Sequence, residues 1–232
     1  MKKQMNADRL YFITHANDRY SYEEGAKVAL DNGIRLIQLR MKHCDLDTVK
    51  QAAWRLKEEC DKAGASLIID DYAEIAAETG ACGVHLGQTD EEITVARQKL
   101  TDKQIIGLTC NTFEQVFTAA KSGADYLGVG PYRFTRTKEK LSPVLGVDGY
   151  RTLIAECRKH NIHIPVYAIG GICLEDVKGL MEAGVYGIAI SSLVLEAPKP
   201  EKTIRNLREE ITQWQTTISP NLNHRIPNNY RL

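Results

Sequence analysis

The chain has 232 residues, enough for one α/β barrel, and its 43% hydrophobic and 26% charged content is that of an ordinary soluble globular protein. Its 30 basic and 30 acidic residues cancel, which gives no ground for a nucleic-acid or anionic-membrane partner. No apolar run approaches the roughly 18 residues of a membrane span, and the six cysteines (Cys44, Cys60, Cys82, Cys110, Cys157, Cys173) form no C-x-x-C pair, so a cytoplasmic, unexported protein with reduced thiols is expected.

Apolar runs cover residues 10–14, 34–37, 66–69, 83–86, 105–108, 125–129, 164–169 and 186–190. Helical patterns alternate with them. Ser21 and Glu24 form a capping box that opens a helix toward Leu30. Asp45 is an N-cap for a helix from Leu46, whose stripe of Val49, Ala52, Ala53, Leu56, Cys60 and Ala63 keeps a 3.6-residue period until Gly64. A single short helix is expected over 72–79, with others over 91–100, 112–122, 149–160, 174–183 and 201–215.

Eight strands alternating with eight helices predict an α/β fold, a single TIM-type (β/α)8 barrel over residues 1–217. Residues 218–232 lack a packing pattern and read as a loose polar tail. An open doubly wound sheet is the alternative, but its usual glycine fingerprint is missing after the first strand, where Thr14-His-Ala-Asn-Asp stands. The polar stretch 132–147 is long enough to read as a closing lid.

Polar residues follow seven of the runs, and a parallel barrel collects such endings on one face. Gln38, Arg40 and Lys42 alternate with Leu39 and Met41, so the two cations share an inward face suited to a polyphosphate. Asp71 and Asp90 follow neighbouring strands; each alone reads more readily as a helix cap, but together, beside the cations, they read as a pair that shares one Mg²⁺. Thr135, Arg136, Thr137 and Lys138 alternate hydroxyls and cations, which can wrap phosphate. Gly170-Gly171 and Ser191-Ser192 fall after the seventh and eighth strands, the recurrent phosphate position of such barrels. His85, inside an apolar strand, reads as a satisfied core or rim histidine. No cysteine or serine has a nucleophile's partners in the sequence.

The ordered set Gln38-Leu-Arg40-Met-Lys42, Gly83-Val-His-Leu-Gly-Gln-Thr-Asp90, Gly123-Ala-Asp-Tyr-Leu-Gly-Val-Gly-Pro131 and Val166-Tyr-Ala-Ile-Gly-Gly-Ile172 closely resembles the thiamine-phosphate synthase family. The likeness runs over residues 10–195 in the family's order. It implies a transferase (EC 2.5.1.3 type) that joins a pyrimidine carrying a methylene diphosphate to a thiazole monophosphate. Diphosphate would depart first, leaving a pyrimidine carbocation that the thiazole nitrogen captures.

The resemblance further implies Asp71 and Asp90 as ligands of one Mg²⁺ per subunit, and Arg40, Lys42 and Lys138 as the catalytic cations on the diphosphate. Gln38, Leu39, Met41, Asp70 and Thr109 would complete the pyrimidine site. Thr135, Arg136, Thr137, Gly171, Ser191 and Ser192 would hold the thiazole phosphate. Small phosphorylated molecules are the expected partners, with a homo-oligomer left open.

Four positions depart from the family pattern. Asp70 replaces the usual Asn, Thr109 the usual Ser, Phe134 a common Pro and Asn111 a frequent His. An added carboxylate beside a diphosphate would repel it unless balanced. Two rivals stand: a related thiazole tautomerase, which would need a His at position 111 and lacks the metal carboxylates, and a non-catalytic binder of thiamine precursors.

Overall fold

A computed structural model describes residues 8–134 and 143–222, with side chains placed through Gln215. Eight parallel strands close into a barrel in chain order: β1 (Leu10–Ile13), β2 (Leu36–Leu39), β3 (Ser66–Asp70), β4 (Gly83–Leu86), β5 (Ile105–Cys110), β6 (Tyr126–Val129), β7 (Val166–Ile169) and β8 (Gly187–Ile190). β8 pairs with β1, Leu10 opposite Ile188, which completes the closure. The helices are α1 (Tyr22–Asp31), α2 (Leu46–Lys62), α3 (Ala73–Thr79), α4 (Ile93–Lys99), α5 (Phe113–Lys121), α6 (Gly146–Lys159), α7 (Asp176–Ala183), α8 (Ser192–Leu195) and α9 (Pro200–Leu222).

Strand residues alternate between two apolar layers, as strands buried on both faces must. Tyr11, Ile13, Leu36, Ile68, Ile105, Tyr126, Tyr167 and Ala189 fill the barrel interior. Phe12, Ile37, Leu39, Ile69, Val84 and Ile106 face the helices, whose apolar stripes complete the outer layer. The interior is unusually aromatic: Tyr11, Tyr126 and Tyr167 pack edge to face at 5.4–5.9 Å between ring centres.

The helix starts follow the sequence signals closely. Ser21 and Glu24 make the reciprocal capping box of α1, and the Asp45 carboxylate accepts from the Thr48 amide at 2.9 Å to open α2. All six cysteines are free thiols. Among the described residues no helix is long and apolar enough to cross a membrane.

Several boundaries differ from expectation. β2 lies two residues later than its apolar run, because Gly33 (φ 85°) turns the chain and the Ile34 amide bonds Ala29 O at 3.0 Å, leaving Ile34 as a plug beneath α1. α4 is as short as α3, since the Asp90 carboxylate turns back to the Gly87 amide at 2.6 Å instead of capping a helix. α6 begins three residues early, at Gly146. The amides of Leu145 and Gly146 bond Pro131 O and Tyr132 O at 3.0 and 2.9 Å, which pins the helix entry to the end of β6. One four-residue helix, α8, is added directly after β8. α9 stays helical to Leu222, past the end of its apolar stripe.

Candidate active site

The carboxyl ends of β2, β3, β4 and β5 bring a charged cluster to the barrel mouth. Gln38 and Asp70 point inward from adjacent strands, and the Gln38 amide donates to Asp70 Oδ1 at 2.5 Å. Arg40 Nε lies 3.6 Å from Asp70 Oδ2, and Lys42 Nζ lies 3.4 Å from the same oxygen while donating to Asp71. Thr14, at the end of β1, accepts from the Arg40 amide at 2.9 Å and thereby fixes that backbone. Leu39 is buried among the helices and Met41 packs against the same layer, so only their backbone reaches the mouth.

Neither Asp71 nor Asp90 caps a helix. Tyr72 and Glu92 occupy those positions without side-chain bonds. Asp71 instead takes a left-handed conformation (φ 66°), rare for a non-glycine residue and concentrated at functional sites. Its amide is tied to His85 O at 2.8 Å. The Asp90 carboxyl is close enough to Asp71 to raise its pKa. Burial, the Asp70 charge and this Asp90 contact push the Asp71 carboxyl up to about 7, against the pull of Lys42. Burial also raises Asp70, with Lys42 and Arg40 opposing it. Burial depresses the Lys42 ammonium, but Asp70 and Asp71 outweigh it and hold that group above its ordinary value.

Two cations therefore face three carboxylates. A diphosphate entering here needs these carboxyls protonated or neutralised by a cation. Asp71 and Asp90 are a hard oxygen pair of the kind that holds Mg²⁺ together with substrate phosphates. Among the described residues no three His, Cys, Asp or Glu side chains form a group that could hold a metal ion. The Asp70 substitution is accommodated locally, since the extra carboxylate is balanced by Arg40 and Lys42 and bonded by Gln38.

Across the mouth, β7 and β8 build a different surface. A cavity of about 100 Å³ is lined by Ile13, Thr14, Arg40, Gly170, Gly171 and Ser191, among others. Gly170 and Gly171 have φ of 96° and 68°, and a Cβ on Gly171 would lie 2.5 Å from Arg133 Cγ. The Ser191 hydroxyl is buried without a hydrogen-bond partner among the described residues. Such a group in a pocket is an unfilled valence for a ligand.

Thr109 sits in the last turns of β5, its hydroxyl 2.9 Å from His85 Nε2. His85 is buried and bonded, as expected, yet it touches a site residue. Thr135, Arg136, Thr137 and Lys138 lie outside the described residues. Asn111 is tied down, its side-chain amide donating to Gly130 O.

Sequence reasoning missed Arg133 and Asp176. Arg133 donates to Gly171 O at 2.8 Å and to both Asp176 oxygens at 2.8 and 2.9 Å. Tyr132 donates to Asp176 at 3.0 Å. Together they brace the Gly170-Gly171 turn, through contacts about 40 residues apart that no local pattern announces.

A closed parallel barrel with a charged cluster and a glycine and serine turn at the carboxyl ends of its strands has the architecture of a (β/α)8 enzyme. Comparison with known proteins makes this particular. Residues 10–194 match the family model for thiamine monophosphate synthase. The chain is 49% identical over 201 residues to the thiamine-phosphate synthase of Phocaeicola vulgatus, covering 85% of this chain and 97% of that protein. It is 50% identical over 199 residues to that of Bacteroides fragilis, covering 85% and 98%. The thiamine phosphate pyrophosphorylase structure from Pyrococcus furiosus superposes with a TM-score of 0.79 at 31% identity, covering 90% and 98%. The chain belongs to the thiamine monophosphate synthase family, transferases of thiamine biosynthesis.

Proposed function

We propose that this chain condenses a 4-aminopyrimidine bearing a methylene diphosphate with a thiazole monophosphate, releasing thiamine phosphate and diphosphate. One observation carries the reading: the Arg40, Lys42, Asp70, Asp71, Asp90 cluster adjoins, through Arg40, a glycine and serine cradle at the same barrel mouth, giving room for two phosphorylated substrates.

The methylene C–O bond breaks with its electron pair leaving on the diphosphate. The ring amine spreads the resulting cation. The thiazole nitrogen then donates its lone pair to the methylene carbon. No enzyme nucleophile is needed, and catalysis comes from neutralising the leaving group and aligning the two rings.

In this scheme Asp71 and Asp90 hold Mg²⁺, which supplies positive charge for the departing diphosphate. Arg40 and Lys42 turn from Asp70 and Asp71 to the diphosphate oxygens, joined by Lys138. Gln38, Asp70 and Thr109 take the pyrimidine, with the backbone of Leu39 and Met41 alongside. Gly171, Ser191 and Ser192, with Thr135, Arg136 and Thr137, take the thiazole phosphate.

The test is thiamine-phosphate formation by the purified protein from both phosphorylated precursors, with Mg²⁺ and then with EDTA. Product that disappears on chelation is expected. Folded protein that forms none would leave a precursor-binding protein. Tautomerase chemistry is disfavoured by Asn111, which cannot act as an acid or base at neutral pH and whose amide is committed to Gly130 O.

A further inference from the structure

A continuous line of hydrogen bonds runs from the barrel core to the pyrimidine station. Tyr11 OH lies 2.9 Å from Tyr126 OH, Tyr126 OH 3.1 Å from His85 Nδ1, and His85 Nε2 2.9 Å from Thr109 Oγ1. Space for it is built into the neighbouring strands. A Cβ on Gly107 would lie 2.1 Å from Tyr126 Cζ, and one on Gly128 would lie 3.1 Å from His85 Cε1. Side chains at positions 107 and 128 would displace both rings.

The direction of the line follows from counting protons. Tyr11 is 1% exposed, and among the described residues its hydroxyl bonds only to Tyr126. If His85 donated from Nδ1, three protons would share the two links, and either the Tyr11 or the Tyr126 proton would be buried without an acceptor. A doubly protonated imidazole leads to the same dead end. Buried hydroxyls do not tolerate that loss. Only the opposite order satisfies every member: Tyr11 donates to Tyr126, Tyr126 donates to Nδ1, and Nε2–H donates to Thr109 Oγ1. The Thr109 oxygen then receives a proton from below and keeps its own for the barrel mouth.

We propose that the buried Tyr126 hydroxyl locks His85 as the neutral Nε2–H tautomer, which occupies one lone pair of Thr109 Oγ1 and leaves the Thr109 proton to donate toward the pyrimidine. His85 and Tyr126 are thus positioning residues, and Thr109 is the specificity-determining contact. The hydroxyl proton then donates to a ring nitrogen that offers a lone pair. This deepens the reading of Thr109 as a pyrimidine contact and rests on it.

The experiment is long-range ¹H–¹⁵N NMR on protein labelled at histidine, with His85 assigned by loss of its signals in His85→Gln. Wild type and Tyr11→Phe should both show pyridine-type Nδ1 and protonated Nε2, because without the Tyr11 hydroxyl Tyr126 still has the imidazole as acceptor. Tyr126→Phe should lose that pattern and raise KM for the pyrimidine diphosphate about tenfold while leaving KM for the thiazole phosphate unchanged. An Nδ1-protonated or cationic His85 in wild type overturns the proposal, as does a folded Tyr126→Phe with normal kinetics. Should Tyr126→Phe not fold, the tautomer in wild type and Tyr11→Phe decides alone. That readout needs no substrate, so it stands apart from any failure to form thiamine phosphate.

Discussion

The two halves of the barrel mouth solve the same problem, holding a phosphorylated ring, by opposite means. The β2–β5 side uses side chains: Gln38, Arg40, Lys42, Asp70 and Asp71 bond and pair with one another, Gln38 Oε1 alone being buried without a partner among the described residues. The β7–β8 side uses turn geometry: two left-handed glycines, a buried unpaired hydroxyl and a small cavity braced from behind by Arg133 and Asp176. The difference matches the loads. A leaving diphosphate gains charge during reaction, so it needs cations that can be redirected at that moment. The thiazole phosphate stays intact, so a fixed mould suffices.

The widest separation of the two halves should come from the carboxylates. Asp90→Asn keeps an acceptor for the Gly87 amide but removes a charge from the proposed metal site. Turnover at limiting Mg²⁺ should fall about a hundredfold or more, with KM for the thiazole phosphate unmoved. Normal turnover would show that Asp90 holds a loop and nothing else.

Gly171→Ala should strike the other half. Its φ of 68° disfavours any Cβ, and the added atom would meet Arg133 Cγ at 2.5 Å. KM for the thiazole phosphate should rise about tenfold, with the pyrimidine KM little changed. A matched rise in both constants would mean that the two halves are one mechanical unit.

A smaller effect should appear in stability. Asp71 ionises near 7 in the folded, metal-free protein and near 4 when unfolded. Below about pH 4 both states are protonated and there is no penalty. As pH rises from about 4 to about 7 the unfolded chain gives up its proton while the fold retains it, so stability is lost across that window and levels off above it. After allowance for partial exposure of Asp71, Tm of the metal-free protein should drop by roughly 4 °C between pH 5 and 7.5, relative to Asp71→Asn. Saturating Mg²⁺ favours the ionised carboxylate and should abolish the difference. An unchanged difference would place the ion elsewhere.

How much of this could be read from residues alone divides along the same physical line. Periodicity and caps are local, so the alternation of strands and helices, Ser21, Asp45 and Thr112 were legible. The i, i+2, i+4 spacing of Gln38, Arg40 and Lys42 put them on one face, which the structure places inward. β2 slipped because Ile34 is apolar for a different purpose, plugging the α1 turn. Asp71 and Asp90 had two readings until their backbone and partners were visible. His85 and the tyrosines looked like filler because their partners are 24, 41 and 115 residues away in sequence. Gly107 and Gly128 matter for what they leave empty, and a sequence does not show a slot.

The finest discrimination comes from Ser191→Ala. In a packed protein, deleting a bonded hydroxyl costs about 1 kcal/mol. Ser191 Oγ, however, is buried with no partner among the described residues, so its removal relieves an unmet desolvation cost. The free protein should therefore be unchanged or gain up to about 1 kcal/mol, read as a small rise in Tm. If the hydroxyl is kept unsatisfied for the thiazole phosphate, the same change should raise KM for that substrate a few-fold and leave the pyrimidine side untouched. A gain in stability bound to a loss in affinity is the signature of a ligand contact held ready. Lower stability with unaltered KM would instead make Ser191 an ordinary structural residue of the β8–α8 turn, leaving the glycines to form the mould alone.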